Sequence, residues 1–179
     1  MKLLFLYGPA AVGKLTVGRA LAELTGYPVF DNHLSIDYAA KLFEWSSPNY
    51  VRLLRALRLF TFRQMAEMGL EGLIFTFVYT PPSSDEFIRQ VLEVCQQYGI
   101  EPMFVKLEAP REVLLERVKS PERKTLKKLS RPERLLQMLD EQGALEAIPF
   151  VESLRLDTSR LTPQESAAQI VWHWGLGRQ

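Results

Sequence analysis

Residues 8–16 read GPAAVGKLT, so that Gly8, Pro9, Ala10, Ala11, Val12, Gly13, Lys14, Leu15 and Thr16 form a Gly-x-x-x-x-Gly-Lys-x-Thr stretch directly after an apolar run at 3–7. A strand that ends in such a loop and turns into a helix aims its first-turn amides, which lack intrahelical partners, at an anion. Gly13 lets the backbone approach an oxygen closely, and Lys14 adds a positive charge. The chemistry implied is the cradling of a nucleotide's phosphates. A chance occurrence of the pattern would leave Lys14 an ordinary solvated lysine. The usual pattern sets Ser or Thr right after the lysine to ligate magnesium, but here Leu15 stands there and the hydroxyl of Thr16 comes one residue later. Thr16 is expected to reach the α-phosphate. Magnesium is then expected on nucleotide oxygens and waters, which suits an ion that dehydrates reluctantly.

Further polar residues stand where such a loop could use them. Asp31 closes a second apolar run at 27–30, and in open α/β sheets ligands gather beyond the carboxyl ends of the strands. A carboxylate there can accept an acceptor hydroxyl's proton or orient metal-bound water. The other role open to it is an Asx turn after a strand. His33 is either a substrate ligand or base, or a hydrogen-bonding scaffold of the same turn. Arg52, Arg55, Arg58 and Arg63 fall within roughly 140° of arc at 100° per residue, which is either an anion-binding face or a solvated one. Residues 117–134 carry Arg117, Lys119, Arg123, Lys124, Lys127, Lys128, Arg131 and Arg134 against Glu122 and Glu133, a local charge of +6 in a chain whose net charge is +1. That concentration reads as a closing basic flap, as a solvated helix face, or as a phosphate-backbone contact patch.

Strand-like and helical patterns must alternate to position these groups. After the loop, Leu15, Ala20 or Leu21, and Leu24 have helical spacing, and Gly26 supplies a stop. Strands are expected at 27–30, 72–79, 102–107 and 154–157, the third-strand run being apolar throughout and so suited to burial on both faces. Between the second and third strands lie two helices, at about 35–45 and 49–68. Ser83 and Glu86 have the spacing of a capping box for a helix running to about Gln97. Pro110 is expected at the first position of another helix. Thr162, Pro163 and Glu165 open a closing helix that ends near Trp174. This alternation is the α/β signature.

The totals narrow the function. A chain of 179 residues, 47% hydrophobic and 24% charged, suits one folded domain over 1–179 with a sizeable core. The single Cys95, on the apolar face of a helix with Phe87, Val91, Val94 and Tyr98, is expected to be a buried structural thiol. The opening apolar run is too short for a signal peptide and no run reaches membrane-spanning length, so a cytoplasmic protein without membrane partners is expected. The small net charge argues against nucleic acid as a partner. Trp45, Trp172 and Trp174 are read as packing residues.

The order of glycine loop, second strand ending in Asp, two-helix insertion, LEAPREVLLERV, basic stretch and LRLDTSRLTPQESAAQI resembles the small-molecule P-loop kinases. These include shikimate kinases, gluconate kinases, chloramphenicol phosphotransferases and nucleoside monophosphate kinases. Within that group the chain looks closest to a bacterial branch marked by a GPxAVGKLT loop, an Asn-His-Leu tripeptide and an IFTFVY strand, here Asn32-His33-Leu34 and residues 74–79. The resemblance implies a P-loop NTPase three-layer α/β sandwich whose five-stranded parallel sheet has the order 2-3-1-4-5. It also implies an acceptor-binding helical insertion at 35–69 and a lid at 117–134. Arg117 would lie near the nucleotide base, Arg123 and Arg131 would reach phosphates, and Asp31 would lie close to the glycine loop. The loop at Thr158 and Ser159 would pass the adenine ring. One departure is that no aspartate ends the third strand, where many phosphate-loop proteins hold a magnesium-organising carboxylate.

The expectation is therefore an ATP-dependent, magnesium-using phosphotransferase acting on a small hydroxylated or anionic acceptor. Its chemistry would rest on Lys14, Asp31, Arg117, Arg123 and Arg131, with His33, Arg52, Arg55 and Arg58 toward the acceptor. A nucleotide-binding module or slow ATPase is the alternative, and a nucleotide or nucleic-acid end kinase a further one. Oligomeric state and the anchoring of the metal stay open.

Overall fold

Five apolar runs pair side by side as a parallel sheet in the order β2-β3-β1-β4-β5. The structure, a computed structural model, describes residues 1–121 and 129–177. Along the chain the elements are β1 (Lys2–Tyr7), α1 (Lys14–Thr25), β2 (Val29–Phe30), α2 (Asn32–Ala40), α3 (Pro48–Glu67), β3 (Gly72–Phe77), α4 (Asp85–Gln97), β4 (Glu101–Glu108), α5 (Arg111–Val118), α6 (Pro132–Asp140), β5 (Ser153–Asp157) and α7 (Pro163–Trp174). The strand order is the one the resemblance implied.

Strand alternation sorts the core into two layers. Leu4 and Leu6 of β1, with Ile74, Val105 and Leu107, face a cluster completed by α1, α5, α6 and α7. Leu3, Phe5 and Tyr7, with Phe75, Phe77 and Phe104, face the other side against Phe62 of α3 and Phe87, Ile88, Val91 and Cys95 of α4. Phe5 is the hub of the second layer, with ring centroids 5.2 Å from Phe75, 5.6 Å from Phe77 and 5.1 Å from Phe104. A buried side chain of this kind is worth about 1.5–3 kcal/mol, so the central strands are the rigid platform from which the loops project. Cys95 is buried as expected, and burial pushes its thiol pKa up to about 12.

Several local readings shift. β2 is only two residues long, and the first insertion helix is Asn32–Ala40 rather than 35–45, because Asp31 caps it by accepting from the His33 amide at 3.3 Å. The box expected of Ser83 and Glu86 does not form. Helix α4 starts at Asp85, while Ser83 Oγ donates to the Thr80 carbonyl and Ser84 Oγ accepts from the Thr80 amide. Pro110 is the N-cap of α5 rather than its first residue. Thr162 and Glu165 do make the reciprocal capping box of α7, behind Pro163.

Candidate functional site

The glycine loop is held open by its backbone. Gly8 has φ 148°, and a Cβ built there would lie 2.3 Å from the Leu107 carbonyl oxygen, so the loop leaves β1 too close to β4 for any side chain. Ala11 at φ 68° and Gly13 at φ 99° continue the bend. Gly13 caps α1 without a side-chain hydrogen bond, which leaves the first-turn amides to a ligand. Lys14 Nζ donates to the carbonyls of Gly8 at 2.8 Å and Pro9 at 2.7 Å, arching over the loop's mouth.

The turn after β5 is tied to that loop. Thr158 Oγ1 donates to the Val12 carbonyl at 2.8 Å and accepts from Arg117 Nη1 at 3.1 Å, while Arg117 Nη2 donates to the Thr158 carbonyl at 2.7 Å. One buried hydroxyl thus links the glycine loop, the Thr158 turn and the end of α5.

Asp31 sits at the carboxyl end of β2, and three bonds from described residues reach its Oδ1. They come from the His33 amide at 3.3 Å, His33 Nδ1 at 3.2 Å and Thr76 Oγ1 at 3.0 Å. The last of these runs in series with the Asn32 amide, which donates to Thr76 Oγ1 at 3.1 Å. A carboxylate oxygen only accepts, so Nδ1 of His33 is the donor in its contact with Asp31. Of the two roles open to Asp31 on sequence, the geometry shows the Asx-type cap, and the residue also lines a cavity together with the glycine loop.

A single cavity of about 530 Å³ joins the two. Its floor holds Gly13, Lys14, Leu15 and Thr16 of the loop and Thr76, Val78 and Thr80 at and beyond the end of β3. One wall is a face of α2, where His33, Ile36, Asp37 and Ala40 follow at three- and four-residue steps below Asp31 and Asn32. Across from it stand Leu129 and, on and after α6, Arg134, Met138 and Gln142, with Trp45 and Ser46 also on the lining. Asp37 has no ion-pair partner among the described residues. Among the described residues no group of three His, Cys, Asp or Glu side chains could hold a metal.

The structure brings Lys14, Thr16, Asp31 and His33 to this cavity, but the insertion arginines are not among its lining residues. Arg52 is exposed, and Arg55 is paired with Glu86 of α4. Arg63 pairs with Glu67 and lies over the Tyr98 ring. Arg58 is 6% exposed, lies over the rings of Phe77 and Phe87, and donates from Nε to Ser35 Oγ at 3.1 Å. Burial pushes its pKa down to about 10, so it stays cationic at neutral pH. Of the lid, Arg123 lies outside the described residues, Arg131 is exposed at the N-cap of α6, and Arg134 lines the cavity. Sequence reasoning missed Asp37, Met138 and Gln142 and named Arg134 only as one charge of the basic flap. Trp45, read as packing, is 59% exposed on the cavity lining with its ring against Tyr50, and Trp172 is 84% exposed.

No protein-family model matches the chain, and no curated protein matches it in sequence. Solved structures do match in shape. A kinase candidate from Chloroflexus aurantiacus superposes with a TM-score of 0.71 at 18% identity, over 99% of this chain and 98% of its own. A sugar kinase from a Janibacter species gives 0.68 at 19% identity, over 98% and 95% of the two chains. The chain has the fold of the small-molecule P-loop kinases. The tunicamycin resistance protein of Deinococcus radiodurans shares that kinase fold, with a TM-score of 0.64 at 22% identity over 98% and 96%. At these identities the likeness is one of architecture, and the P-loop kinase fold hosts many acceptors.

Proposed function

We propose that this protein is an ATP-dependent phosphotransferase that moves the γ-phosphoryl group to a hydroxyl of a small acceptor seated between α2 and α6. The observation that carries this reading is the shared cavity. The loop amides and Lys14 lie at its floor, and the carboxylate of Asp31 lines it as well. The uncapped start of α1 and the φ values of Gly8 and Gly13 suit phosphate oxygens. Thr16 and Asp31 are the oxygen-bearing side chains on the cavity lining that would hold magnesium arriving with the nucleotide, which would supply neutralisation of phosphate charge.

Phosphoryl transfer spreads negative charge over the equatorial oxygens, so the chain's work is positioning and electrostatic stabilisation. Lys14 and the loop amides hold the phosphates, with Arg117, Arg123 and Arg131 as the lid's contribution. Asp31 receives the acceptor hydroxyl's proton, and His33 holds the carboxylate in place. The acceptor site mixes Asp37 and Arg134 with the apolar surfaces of Ile36, Val78, Met138 and Trp45, which suits a hydroxylated molecule with an apolar face. Should the acceptor also carry an anion and reach beyond the cavity lining, Arg52 and Arg58 are the insertion arginines with no carboxylate partner among the described residues, Arg58 being held by one hydrogen bond and two aromatic faces. A cytoplasmic workplace, where ATP is available, goes with this reading.

The test is a metabolite panel with ATP and magnesium, read by mass for a transferred phosphate. Asp31→Asn should lower turnover by about 10²–10⁴-fold, the usual contribution of a general base. Lys14→Ala should remove nucleotide affinity. Wild-type protein that binds ATP yet phosphorylates nothing in the panel supports the second reading, a nucleotide-binding module with slow hydrolysis, which Leu15 in the place of the metal-ligating hydroxyl favours.

A further inference from the structure

Thr76 is an odd residue for its place. It lies on the central strand β3, one strand-step beyond Ile74 on the same face, in a run where every residue from 72 to 77 is buried, and it is itself 2% exposed. Burying a hydroxyl costs roughly 1–3 kcal/mol unless it is hydrogen-bonded, so its partners are the reason it is tolerated. It has two. The Asn32 amide can only donate, which directs the Thr76 proton onward, and Thr76 Oγ1 gives it to Asp31 Oδ1 at 3.0 Å. The chain of bonds therefore has one direction, from helix α2's first amide through the strand to the carboxylate. A hydroxyl that donates to an ionised acceptor makes a charge-assisted bond, about twice as strong as a neutral one, and bonds in series polarise one another.

We infer that Thr76 is a positioning residue for phosphoryl transfer, anchoring the Asp31 carboxylate to the rigid sheet so that it meets the acceptor hydroxyl in a fixed orientation. This rests on the phosphotransferase reading above. His33 also binds Oδ1, but it is carried by α2, the same helix that Asp31 caps, and would move with it. Thr76 alone among the three bonds ties the carboxylate to the strand next to β1, and β1 leads into the glycine loop. Misplacing a reacting group by about 1 Å can cost 10²-fold in rate, so such an anchor has a measurable effect.

The test uses the full chain with Mg·ATP and water as the acceptor, reading phosphate release, alongside Mg·ADP affinity and thermal melting. The variants are Thr76→Val, isosteric but without the hydroxyl, Thr76→Ser, Asp31→Asn, and the double variant Thr76→Val with Asp31→Asn. Thr76→Val should lose about tenfold or more in kcat with KM for ATP and ADP affinity within about twofold, and Thr76→Ser should regain most of it. The double variant should be no slower than Asp31→Asn. A Thr76→Val enzyme at wild-type kcat, or losses that multiply in the double variant, would show a helix cap only and overturn the inference while leaving the phosphotransferase reading intact. An Asp31→Asn enzyme at wild-type rate overturns the inference together with the base assigned to Asp31. Wild-type protein that binds no nucleotide overturns this inference and the function above together, and where water is not accepted the same variants are read on the acceptor found by the panel, with the same outcomes deciding.

Discussion

Single residues in the glycine loop differ in what they require. Gly8 needs both its φ of 148° and the space a Cβ would take from the Leu107 carbonyl, whereas Gly13 needs only its φ of 99°, with nothing within 4 Å of a built Cβ. Gly8→Ala should therefore cost about 2–4 kcal/mol, from strain and overpacking together, and Gly13→Ala about 1–2 kcal/mol. Urea unfolding monitored by circular dichroism measures the difference. Cys95 offers a second check. Burial in the α4 layer pushes its thiol pKa up to about 12, so native protein at pH 8 should not react with Ellman's reagent until urea is added. The sequence placed this cysteine correctly because its surroundings, Phe87 and Val91, lie on the same helix.

The element where reading and structure part most is the insertion. Four arginines at helical spacing read as one face, anion-binding or solvated, yet α3 uses each differently, and the partners of Arg55 and Arg58 come from elsewhere in the chain. Glu86 and the Phe87 ring belong to α4, Phe77 to β3, Ser35 to α2. None of these neighbours can be inferred from the spacing within α3. The difference in burial predicts a difference in stability. Arg55 pairs with a Glu86 side chain that is 66% exposed, so Glu86→Ala should change stability by about 0–1 kcal/mol. Arg58→Lys should cost more, about 1–2 kcal/mol, because an ammonium cannot span two rings and Ser35 as a planar guanidinium does. Denaturant midpoints at constant slope separate the two. The α2 face was closer to legible. His33, Ile36, Asp37 and Ala40 follow a helical period that becomes visible once Asp31 is taken as the cap and the helix begins at Asn32.

Taken whole, the molecule holds a buried cation in its sheet, besides Arg58 of α3, that the linear pattern conceals. Lys106 is 3% exposed inside β4, bonded to the Leu145 carbonyl at 2.7 Å and to Glu108 at 2.7 Å, and Arg155 of β5 reaches Glu108 at 2.6 Å. Burial raises the Glu108 pKa, but the hydrogen bonds from Arg155 and Lys106 outweigh it and hold the carboxyl below its ordinary 4.5. The Ser159 hydroxyl and amide do the same for Asp157 at the end of β5. A depressed carboxyl stabilises the fold above its unfolded pKa, and that stability drains as pH falls through the native value. Stability should thus be flat from pH 7 to about 5 and fall below about 4.5, and Glu108→Gln should flatten the acid limb, as read by urea unfolding across pH.

The strands, the glycine-rich stretch and the caps at Gly26 and Thr162 were legible in the chain because each depends on contiguous residues, whereas the sheet order came from the resemblance to the P-loop kinases and not from any local pattern. Hydrogen bonds and contacts between residues far apart in sequence were not. That Asp31 leans on Thr76 at a separation of 45 residues, that Thr158 closes on Val12 at 146, and that Arg134 lines one cavity with residues of α2 follow from how the layers stack. A loop's conformation is written in its own residues, whereas a cavity is the space left between elements, and its walls exist only once the sheet has brought them together.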